Sequence, residues 1–518
     1  MTEICARCTL QNSSGQVKLF MQAGHAQQGL SPGAKLTQIA GIMPDQRPSN
    51  LIIFCSDEHA RRVTGCYGDP VVRTPTLDTI ARLGTRFTNA YTPSPICVPA
   101  RASLATGLQV HETRCWSSAE PYHGQHESWM NKLRDAGHPV VSIGKLHFRG
   151  AGDDHGFDEE IEPMYLANDG AGWVRGLLRD PMPVYDDTKA LSEEIGPGET
   201  EYTEYDRRVT HEAVKWLKKY ATRFKTQPWC LFVSFISPHY PLKCPEAFYQ
   251  LYEYAKIPEP PAQLPEHDVL QQMARFWNYD EHFDEGLREI ARKGYYGLVS
   301  FLDDNIRQVM EVLEDTGAAR DTSVMYLSDH GEMLGSHGFW AKSVMYEDAV
   351  AVPLMMMGPG IAEGVNSTPV SLTDVSATVQ QTVGLKSQPA REPWMSRPLQ
   401  DFISRPEADR FILSEYHDGG SPCGITMLRY REWKYVYYAN GHAPQLFNLI
   451  DDPQEVNDLG RSRDHERQRD MLRTLMGHAM DPERVNLDAF ADQKTLIEKL
   501  GGVDALMAMK SFGHTPVG

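Results

Sequence analysis

Five short apolar segments, separated by segments of helical periodicity, constrain the fold of this chain more than any other feature of its sequence. Short apolar runs of this kind are typical of strands that are buried on both faces of a parallel sheet. The five segments lie at residues 50–56, 139–143, 229–236, 323–328 and 352–357. Since helical segments fall between them, the sequence predicts an α/β fold in which helices sandwich a large, mostly parallel sheet.

The sequence pattern changes after Leu385, where the segments become short and β-rich. Strands predicted at 411–416, 424–430 and 433–438 precede a helical segment at 464–480. We interpret this region as a small antiparallel sheet closed by a helix. The predicted parts of the chain are an N-terminal extension of doubtful order (1–49), a main α/β domain (50–385) and a smaller C-terminal α+β domain with its tail (386–518).

The composition excludes several classes of partner. A formal net charge of −18 argues against nucleic acid, because phosphate backbones are bound by clustered lysines and arginines. We find neither a secretory leader nor an apolar run of about 18 residues, and we expect no membrane contact. The nine cysteines are odd in number and scattered, which predicts a reduced, cytoplasmic protein. Residues 1–42 lack clear periodicity, so we interpret Met43 as the natural start.

Polar residues follow four of the predicted strands at the point where each strand ends. The four groups are residues 57–59, 144–147, 237–239 and 329–332. Taken singly, such a group is more often a turn or a helix cap than a functional site. Because the carboxyl ends of parallel strands meet at one edge of a sheet, the four groups together predict a shared ligand crevice.

Several of these residues are suited to hold a metal ion. Asp57, Glu58 and Asp329 offer carboxylate oxygens, and His330 offers an imidazole nitrogen. Hard oxygen ligands of this kind suit Ca²⁺, Mg²⁺ or Mn²⁺ and argue against a thiolate zinc site. The sequence therefore predicts one divalent metal, with Ca²⁺ favoured over Mn²⁺ and Mg²⁺.

Positive charge and proton carriers complete the predicted site. Arg101, Lys145 and Lys342 would attract a tetrahedral oxyanion such as sulfate or phosphate. His147 and His239 are the natural proton carriers near neutral pH. A metal ion beside these groups would form an oxyanion receptor in which acid–base chemistry can take place.

The segment CVPAR at 97–101, continuing to Thr106-Gly107, resembles the C-x-P-x-R signature of the sulfatases, in the alkaline-phosphatase-like superfamily. Further motifs in the family's order extend this resemblance from Asn50 to about Gly460. GKLHFRG and MLGSHGFWAKS resemble the bacterial choline-sulfatase and phosphonate monoester hydrolase branch, which is cytoplasmic. Segment 115–119 departs from the choline-sulfatase pattern, and Glu58 stands where relatives carry Asp or Gln.

The resemblance implies a fold and a nucleophile. It implies an alkaline-phosphatase-like α/β domain in which a maturation enzyme oxidises Cys97 to Cα-formylglycine. Arg101 would hold the modified residue and steady its charge. The implied metal ligands are Asp57, Glu58, residue 97, Asp329 and His330.

The resemblance also implies how a sulfate monoester is cleaved to an alcohol and inorganic sulfate. The hydrated aldehyde would attack sulfur, while His239, with Lys342, protonates the leaving alcohol. His147, helped by Lys145, would then take the proton from the second hydroxyl, so that sulfate is expelled.

Three other functions remain open on the sequence. A phosphonate monoester or phosphate diester hydrolase could use the same site, because both ester classes carry one negative charge at the reacting centre. A sulfatase-like binding protein and a thiol enzyme with unmodified Cys97 are the remaining alternatives. By analogy with the branch, we expect a homodimer or homotetramer.

The residues that recognise the alcohol are less well defined. The long connections at about 150–200 and 241–290 are expected to form lids or walls of the site. The side chains considered for the pocket are Trp116, Arg149, His155, Tyr240 and Trp340.

Overall fold

The structure is a computed structural model that describes residues 47–183, 185, 188–223, 227–386, 389–392, 394–509 and 515–517. The expected start at Met43 and nearly all of the predicted extension (1–49) lie outside these residues. The described residues belong to one compact unit, and the domain division at residue 385 stays a prediction.

The strands of the described residues form one large sheet and three smaller ones. In chain order they are β1 (Asn50–Asp57), β2 (Gly84–Phe87), β3 (Ala90–Tyr91), β4 (Val140–Lys145), β5 (Glu159–Met164), β6 (Ile195–Pro197), β7 (Cys230–Pro238), β8 (Leu242–Cys244), β9 (Thr322–Ser328), β10 (Leu354–Met357), β11 (Gly364–Asn366), β12 (Val370–Ser371), β13 (Phe411–Tyr416), β14 (Ile425–Tyr430), β15 (Trp433–Tyr438) and β16 (Gln445–Asn448). The five strands predicted for the main domain are β1, β4, β7, β9 and β10, with ends within two residues of those expected.

The helices include those predicted from amphipathic periodicity. In chain order they are α1 (Pro75–Arg82), α2 (Cys97–Thr106), α3 (Val110–Thr113), α4 (Trp129–Asp135), α5 (Thr188–Glu193), α6 (Glu201–Tyr220), α7 (Glu246–Tyr249), α8 (Asp268–Trp277), α9 (Tyr279–His282), α10 (Glu285–Asp315), α11 (Glu347–Val350), α12 (Asp374–Thr382), α13 (Leu399–Ser404), α14 (Glu466–Ala479), α15 (Pro482–Lys499) and α16 (Val503–Ala508). Among the described residues, no helix combines the length and the apolar character that crossing a membrane requires.

The large sheet has the strand order β11-β2-β10-β9-β1-β7-β4-β5. Its pairs are parallel except those of β10, which runs antiparallel to both β9 and β2. Alternate residues of β1 enter two different cores, because side chains of a strand point to opposite faces. One core contains side chains of α2, α4 and α12, and the other contains side chains of α6 and α10. Helices therefore cover both faces, and the predicted sandwich is confirmed.

The C-terminal region contains the predicted small antiparallel sheet. Strands β13 to β16 pair in sequence order, each antiparallel to the next. Leu472 and Met476 of α14 pack against Leu428 and Leu446 of this sheet. The region thus has the predicted sheet-plus-helix architecture, to which α15 adds a helix that the sequence analysis did not identify.

Gly144 generates a stability prediction because it lies in β4 directly before Lys145, with φ +105°. A Cβ atom at this position would collide with the carbonyl oxygen of Ser234 in the neighbouring strand β7. Gly68 has the same φ of +105°, and a Cβ atom there would meet nothing within 4 Å, so Gly68 is a matched control. We expect Gly144→Ala to lower the free energy of unfolding by about 1–3 kcal/mol more than Gly68→Ala, because only Gly144→Ala adds overpacking. Denaturant unfolding of both variants measures this difference, and equal losses would contradict the packing.

Candidate active site

The four polar groups predicted from the sequence meet at one edge of the large sheet. Strands β9, β1, β7 and β4 are successive neighbours, and their carboxyl ends point the same way. Asp57 ends β1 and Lys145 ends β4, while His239 and Asp329 directly follow β7 and β9. The expected crevice beyond the strand ends is therefore present.

Helix α2 brings the CVPAR segment to the same place. Cys97 is its first residue, Pro99 lies in the first turn, and the helix ends before Gly107. Residues four positions apart share a helix face, so Cys97 and Arg101 both point at the strand ends. The Cys97 Sγ atom is buried, 3.5 Å from Asp57 Oδ1.

The Arg101 side chain is buried and uses three nitrogens to hold the strand ends together. Its Nε donates to Asp329 Oδ2 at 2.8 Å, and its Nη2 donates to Asp57 Oδ2 at 3.1 Å. Its Nη1 donates to the Lys145 carbonyl at 2.9 Å and to Ser234 Oγ at 3.0 Å. A planar guanidinium suits several acceptors in fixed positions, so Arg101 locks α2 onto the ends of four strands.

Four ligand atoms from Asp57, Cys97, Asp329 and His330 lie within 4.8 Å of one another, and all four side chains are buried. His330 Nδ1 lies 3.0 Å from the Gly331 carbonyl, to which its N–H donates. The lone pair of His330 Nε2 therefore faces the other three ligands, as a metal-binding imidazole requires. Two carboxylates, one imidazole and residue 97 thus fit a divalent cation.

Glu58 lies beside this group and contacts the predicted proton donors. Its Oε2 accepts from Lys342 Nζ at 2.8 Å and lies 3.2 Å from His239 Nε2. Burial, opposed by Lys342, raises the pKa of Glu58 to about 8. Asp57, Glu58 and His239 form a second candidate metal group, so a ligand role for Glu58 stays a prediction.

Lys145 and Lys342 supply positive charge from opposite sides of the site. Lys145 Nζ is buried, 2.6 Å from Asp57 Oδ2, and Lys342 Nζ lies 3.6 Å from Cys97 Sγ. Burial alone would raise the pKa of the Asp57 carboxyl, but the cations around it, with Lys145 the strongest, hold that pKa well below its usual range. Asp57 is therefore a carboxylate, the form that a metal ligand needs.

Both histidines line the cavity beside Cys97. His147 Nε2 contacts Thr515 Oγ1 at 3.1 Å, and burial next to Lys145 holds the pKa of His147 well below its usual range. The N–H at His239 Nδ1 donates to the Tyr240 carbonyl at 2.6 Å, which leaves Nε2 facing the cavity and Glu58.

Two further carboxylates position the site: Asp206, which the sequence analysis did not identify, and Glu332, which belongs to the predicted polar group 329–332 but had no assigned role. Asp206 of α6 accepts the N–H groups of Ile236 (2.8 Å) and Ser237 (2.9 Å), so it fixes the end of β7 before His239. Glu332 accepts the N–H groups of Leu334 and Ala341, both at 2.7 Å, and so shapes the loop before Lys342. The sequence did carry a signal for Asp206, because it is a charged residue on the apolar face of α6.

Of the five side chains considered for the pocket, only Tyr240 lines the cavity beside Cys97. The Trp116 Nε1–H donates to Asp492 at 2.9 Å, and His155 pairs with Glu160. Trp340 stacks on Phe283, and Arg149 pairs with Asp153. Those four side chains do not line this cavity and instead pack or pair elsewhere.

The fold and these groups define a hydrolase of anionic esters with an alkaline-phosphatase-like fold. The sequence model of the Sulfatase family matches residues 49–385. A choline-sulfatase of Rhizobium meliloti (strain 1021) is 32% identical over 436 residues, covering 81% of this chain and 84% of that protein. An arylsulfatase K of Danio rerio is 31% identical over 432 residues, covering 79% of this chain and 80% of that protein.

The chain belongs to the sulfatase family, and it is a sulfuric ester hydrolase. Among solved structures, the phosphonate monoester hydrolase of Agrobacterium radiobacter superposes with a TM-score of 0.66 at 21% identity, covering 86% of this chain and 96% of that chain. A likeness at that identity shows a shared fold only.

The contacts of Arg101 generate a prediction about stability. Arg101→Met would remove the guanidinium that the buried carboxylates of Asp57 and Asp329 both contact, which costs about 3–5 kcal/mol of unfolding free energy. Arg134→Met is the control, because the Arg134 pair with Asp154 is solvent-exposed on the carboxylate side and exposed pairs contribute about 0–1 kcal/mol. Denaturant unfolding of both variants measures the difference. Similar small losses in both would show that Arg101 does not hold the strand ends together.

Proposed function

We propose that this chain hydrolyses a sulfate monoester with a formylglycine made from Cys97 and one divalent cation. The observation that carries the proposal is the position of residue 97, whose Sγ lies 3.1 Å from His330 Nε2 and 3.5 Å from Asp57 Oδ1. Residue 97 also begins a buried helix, where free backbone N–H groups favour an anion. Such an anion would meet the nucleophile and the metal ligands together.

The donor set supports a metal of the Ca²⁺ type, with Mn²⁺ and Mg²⁺ as alternatives. Asp57, residue 97, Asp329 and His330 would hold it, with Glu58 as a further candidate. A bound divalent cation supplies Lewis-acid polarisation of a sulfate oxygen and lowers the pKa of a hydroxyl beside it. Arg101 keeps Asp57 and Asp329 in place for this purpose.

The remaining side chains of the site would stabilise negative charge and transfer protons. Lys342, whose Nζ lies 3.6 Å from Cys97 Sγ, and Lys145, whose Nζ lies 2.6 Å from Asp57 Oδ2, would stabilise the negative charge of the sulfuryl group. Burial holds the pKa of His239 well below its usual range, so the protonated Lys342, which contacts the same Glu58 oxygen as His239 Nε2, would supply the proton that His239 passes to the leaving alcohol. His147, which its low pKa keeps neutral, would accept the proton from the hydrated aldehyde.

The proposal also has consequences for the partners of the enzyme, its location in the cell and its oligomeric state. It requires a formylglycine-generating maturation enzyme, and a small-molecule sulfate ester as substrate. A cytoplasmic location is supported by the free thiols of every cysteine in the described residues. The homodimer or homotetramer expected by analogy stays a prediction.

Peptide mass spectrometry tests the nucleophile. In protein made with a maturation system, we expect the peptide containing residue 97 to be about 18 Da lighter than the cysteine form. Sulfate ester hydrolysis should rise with the aldehyde fraction, and Cys97→Ala should lack activity while Cys115→Ala retains it. Active protein that carries only unmodified cysteine would overturn the formylglycine proposal.

Kinetics on matched esters separate the two ester classes. We expect kcat/KM for an aryl sulfate to exceed that for the corresponding aryl phosphonate monoester on the same aldehyde-bearing protein. A much higher value for the phosphonate would replace the sulfatase proposal with the phosphonate hydrolase alternative.

The role of His239 predicts a dependence on the leaving group. His239→Gln should lower kcat by about 10²–10⁴-fold for alkyl sulfates, because a poor leaving group needs its proton in the transition state. The loss should be far smaller for 4-nitrophenyl sulfate, whose alcohol leaves as a stable anion. His211→Gln, on the exposed face of α6, is the control. An equal loss with both ester types would rule out proton donation by His239.

A further inference from the structure

The cavity beside Cys97 has an aromatic wall, which we define as Trp173, Tyr185, Trp277 and Tyr279. The wall comes from the two long connections, at about 150–200 and 241–290, that the sequence predicted as lids or walls. The catalytic groups come from the strand ends and α2 on the other side of the cavity. The lining of the cavity therefore combines the ionisable catalytic groups with a separate set of aromatic side chains.

The rings of the aromatic wall pack on one another. Trp173 stacks on Trp277 with 5.8 Å between ring centroids and 26° between planes. The Tyr185 ring meets Trp277 edge-on at 4.8 Å, and Tyr279 stacks on Trp277 at 6.2 Å. Aromatic contacts of this geometry stabilise one arrangement of the rings.

The backbone of the segment after β13 packs closely against the rings of Trp173 and Trp277. A Cβ atom at Gly419 would lie 2.7 Å from the Trp173 ring, and one at Gly420 would lie 3.0 Å from Trp277 Nε1. Only glycine allows so close an approach of backbone to ring. The aromatic wall is therefore a fixed surface rather than a set of rings free to turn away.

Beyond the catalytic groups, the cavity offers an alcohol mainly the polar edges of its aromatic residues. Among the described lining residues, the ionisable side chains other than tyrosines are Glu58, Cys97, His147, His239 and Lys342. The Ser118 hydroxyl donates to Asp418 at 2.7 Å, and Thr515 contacts His147. A sugar would lose water from several hydroxyls here and would find the Trp277 Nε1–H and tyrosine hydroxyls as partners for only some of them, which is unfavourable.

A cationic alcohol could contact the aromatic faces by cation–π interactions, but it would find no uncommitted carboxylate among the described lining residues of this cavity. The nearest carboxylate, Glu58, already contacts Lys342 at 2.8 Å and His239 at 3.2 Å. Lys342 lines the same space and would repel a second positive charge. The aromatic faces are therefore better matched to a neutral hydrocarbon surface.

The cavity is small and opens to solvent. Its volume is about 150 Å³, and an apolar cavity of about that volume holds a benzene-sized molecule. The space beside residue 97 therefore matches one ring or a short hydrocarbon chain of the alcohol, and a larger substrate would extend out of the mouth of the cavity.

We propose that the substrates are sulfate esters of small, neutral, apolar alcohols, whose hydrocarbon part packs on the aromatic wall. This inference rests on the proposed function, because it takes residue 97 as the point of sulfuryl transfer. The products are then inorganic sulfate and an apolar alcohol, with one water molecule consumed and the S–O bond of the ester broken.

Four alkyl esters with no aryl leaving group test the inference on aldehyde-bearing protein: 2-phenylethyl sulfate, methyl sulfate, glucose 6-sulfate and choline sulfate. We expect kcat/KM for 2-phenylethyl sulfate to exceed each of the others by about 10- to 100-fold, the gain from burying one aromatic group. A higher value for glucose 6-sulfate or choline sulfate would overturn the inference.

Variants at Trp173 locate the preference in the aromatic wall. Trp173→Ala should lower kcat/KM for 2-phenylethyl sulfate about 10-fold or more relative to its effect on methyl sulfate, while Trp173→Phe should retain most of the preference. Methyl sulfate turnover also reports that each variant is folded. Hydrolysis of methyl sulfate without an apolar preference contradicts the inference and leaves the proposed function standing, whereas failure to hydrolyse any of the four esters overturns both.

Discussion

The guanidinium of Arg101 is the interaction on which the rest of the site depends. It joins the helix that carries residue 97 to Asp57 and Asp329, and to β4 and β7 through Lys145 and Ser234. A buried charge is unfavourable unless its hydrogen bonds are satisfied. Arg101 meets this condition only when the four strand ends and α2 are together. Folding of the sheet and assembly of the predicted metal site are therefore one event.

The structure separates the groups that carry out the chemistry from the surface that selects the alcohol. The charged groups lie on strand ends and on α2, which the two cores hold rigid. The aromatic wall lies on long connections, with Trp173 and Trp277 braced by Gly419 and Gly420 of the C-terminal region. Loops on a rigid scaffold can change specificity while the reacting centre stays fixed.

Much of the fold and of the charged centre could be predicted because both depend on local patterns. Buried central strands are continuous apolar runs, and the polar residues after them mark the crevice. No such pattern in the sequence indicates that β10 runs antiparallel to its neighbours. The edge strand β5 was also not predicted, because its acidic sequence EEIEPM is not an apolar run. Asp206 acts on β7 from a helix, and the aromatic wall joins two segments about 100 residues apart. Contacts of that kind depend on tertiary packing, which periodicity does not encode.

Crystals of aldehyde-bearing protein loaded with Mn²⁺, measured at the manganese absorption edge, test the central claim most directly. The account predicts one strong anomalous peak within bonding distance of Asp57, residue 97, Asp329 and His330. Its occupancy should fall in an Asp329→Asn variant. Full sulfate ester hydrolysis by protein with no anomalous peak at this position, or a peak bound elsewhere, would contradict the account.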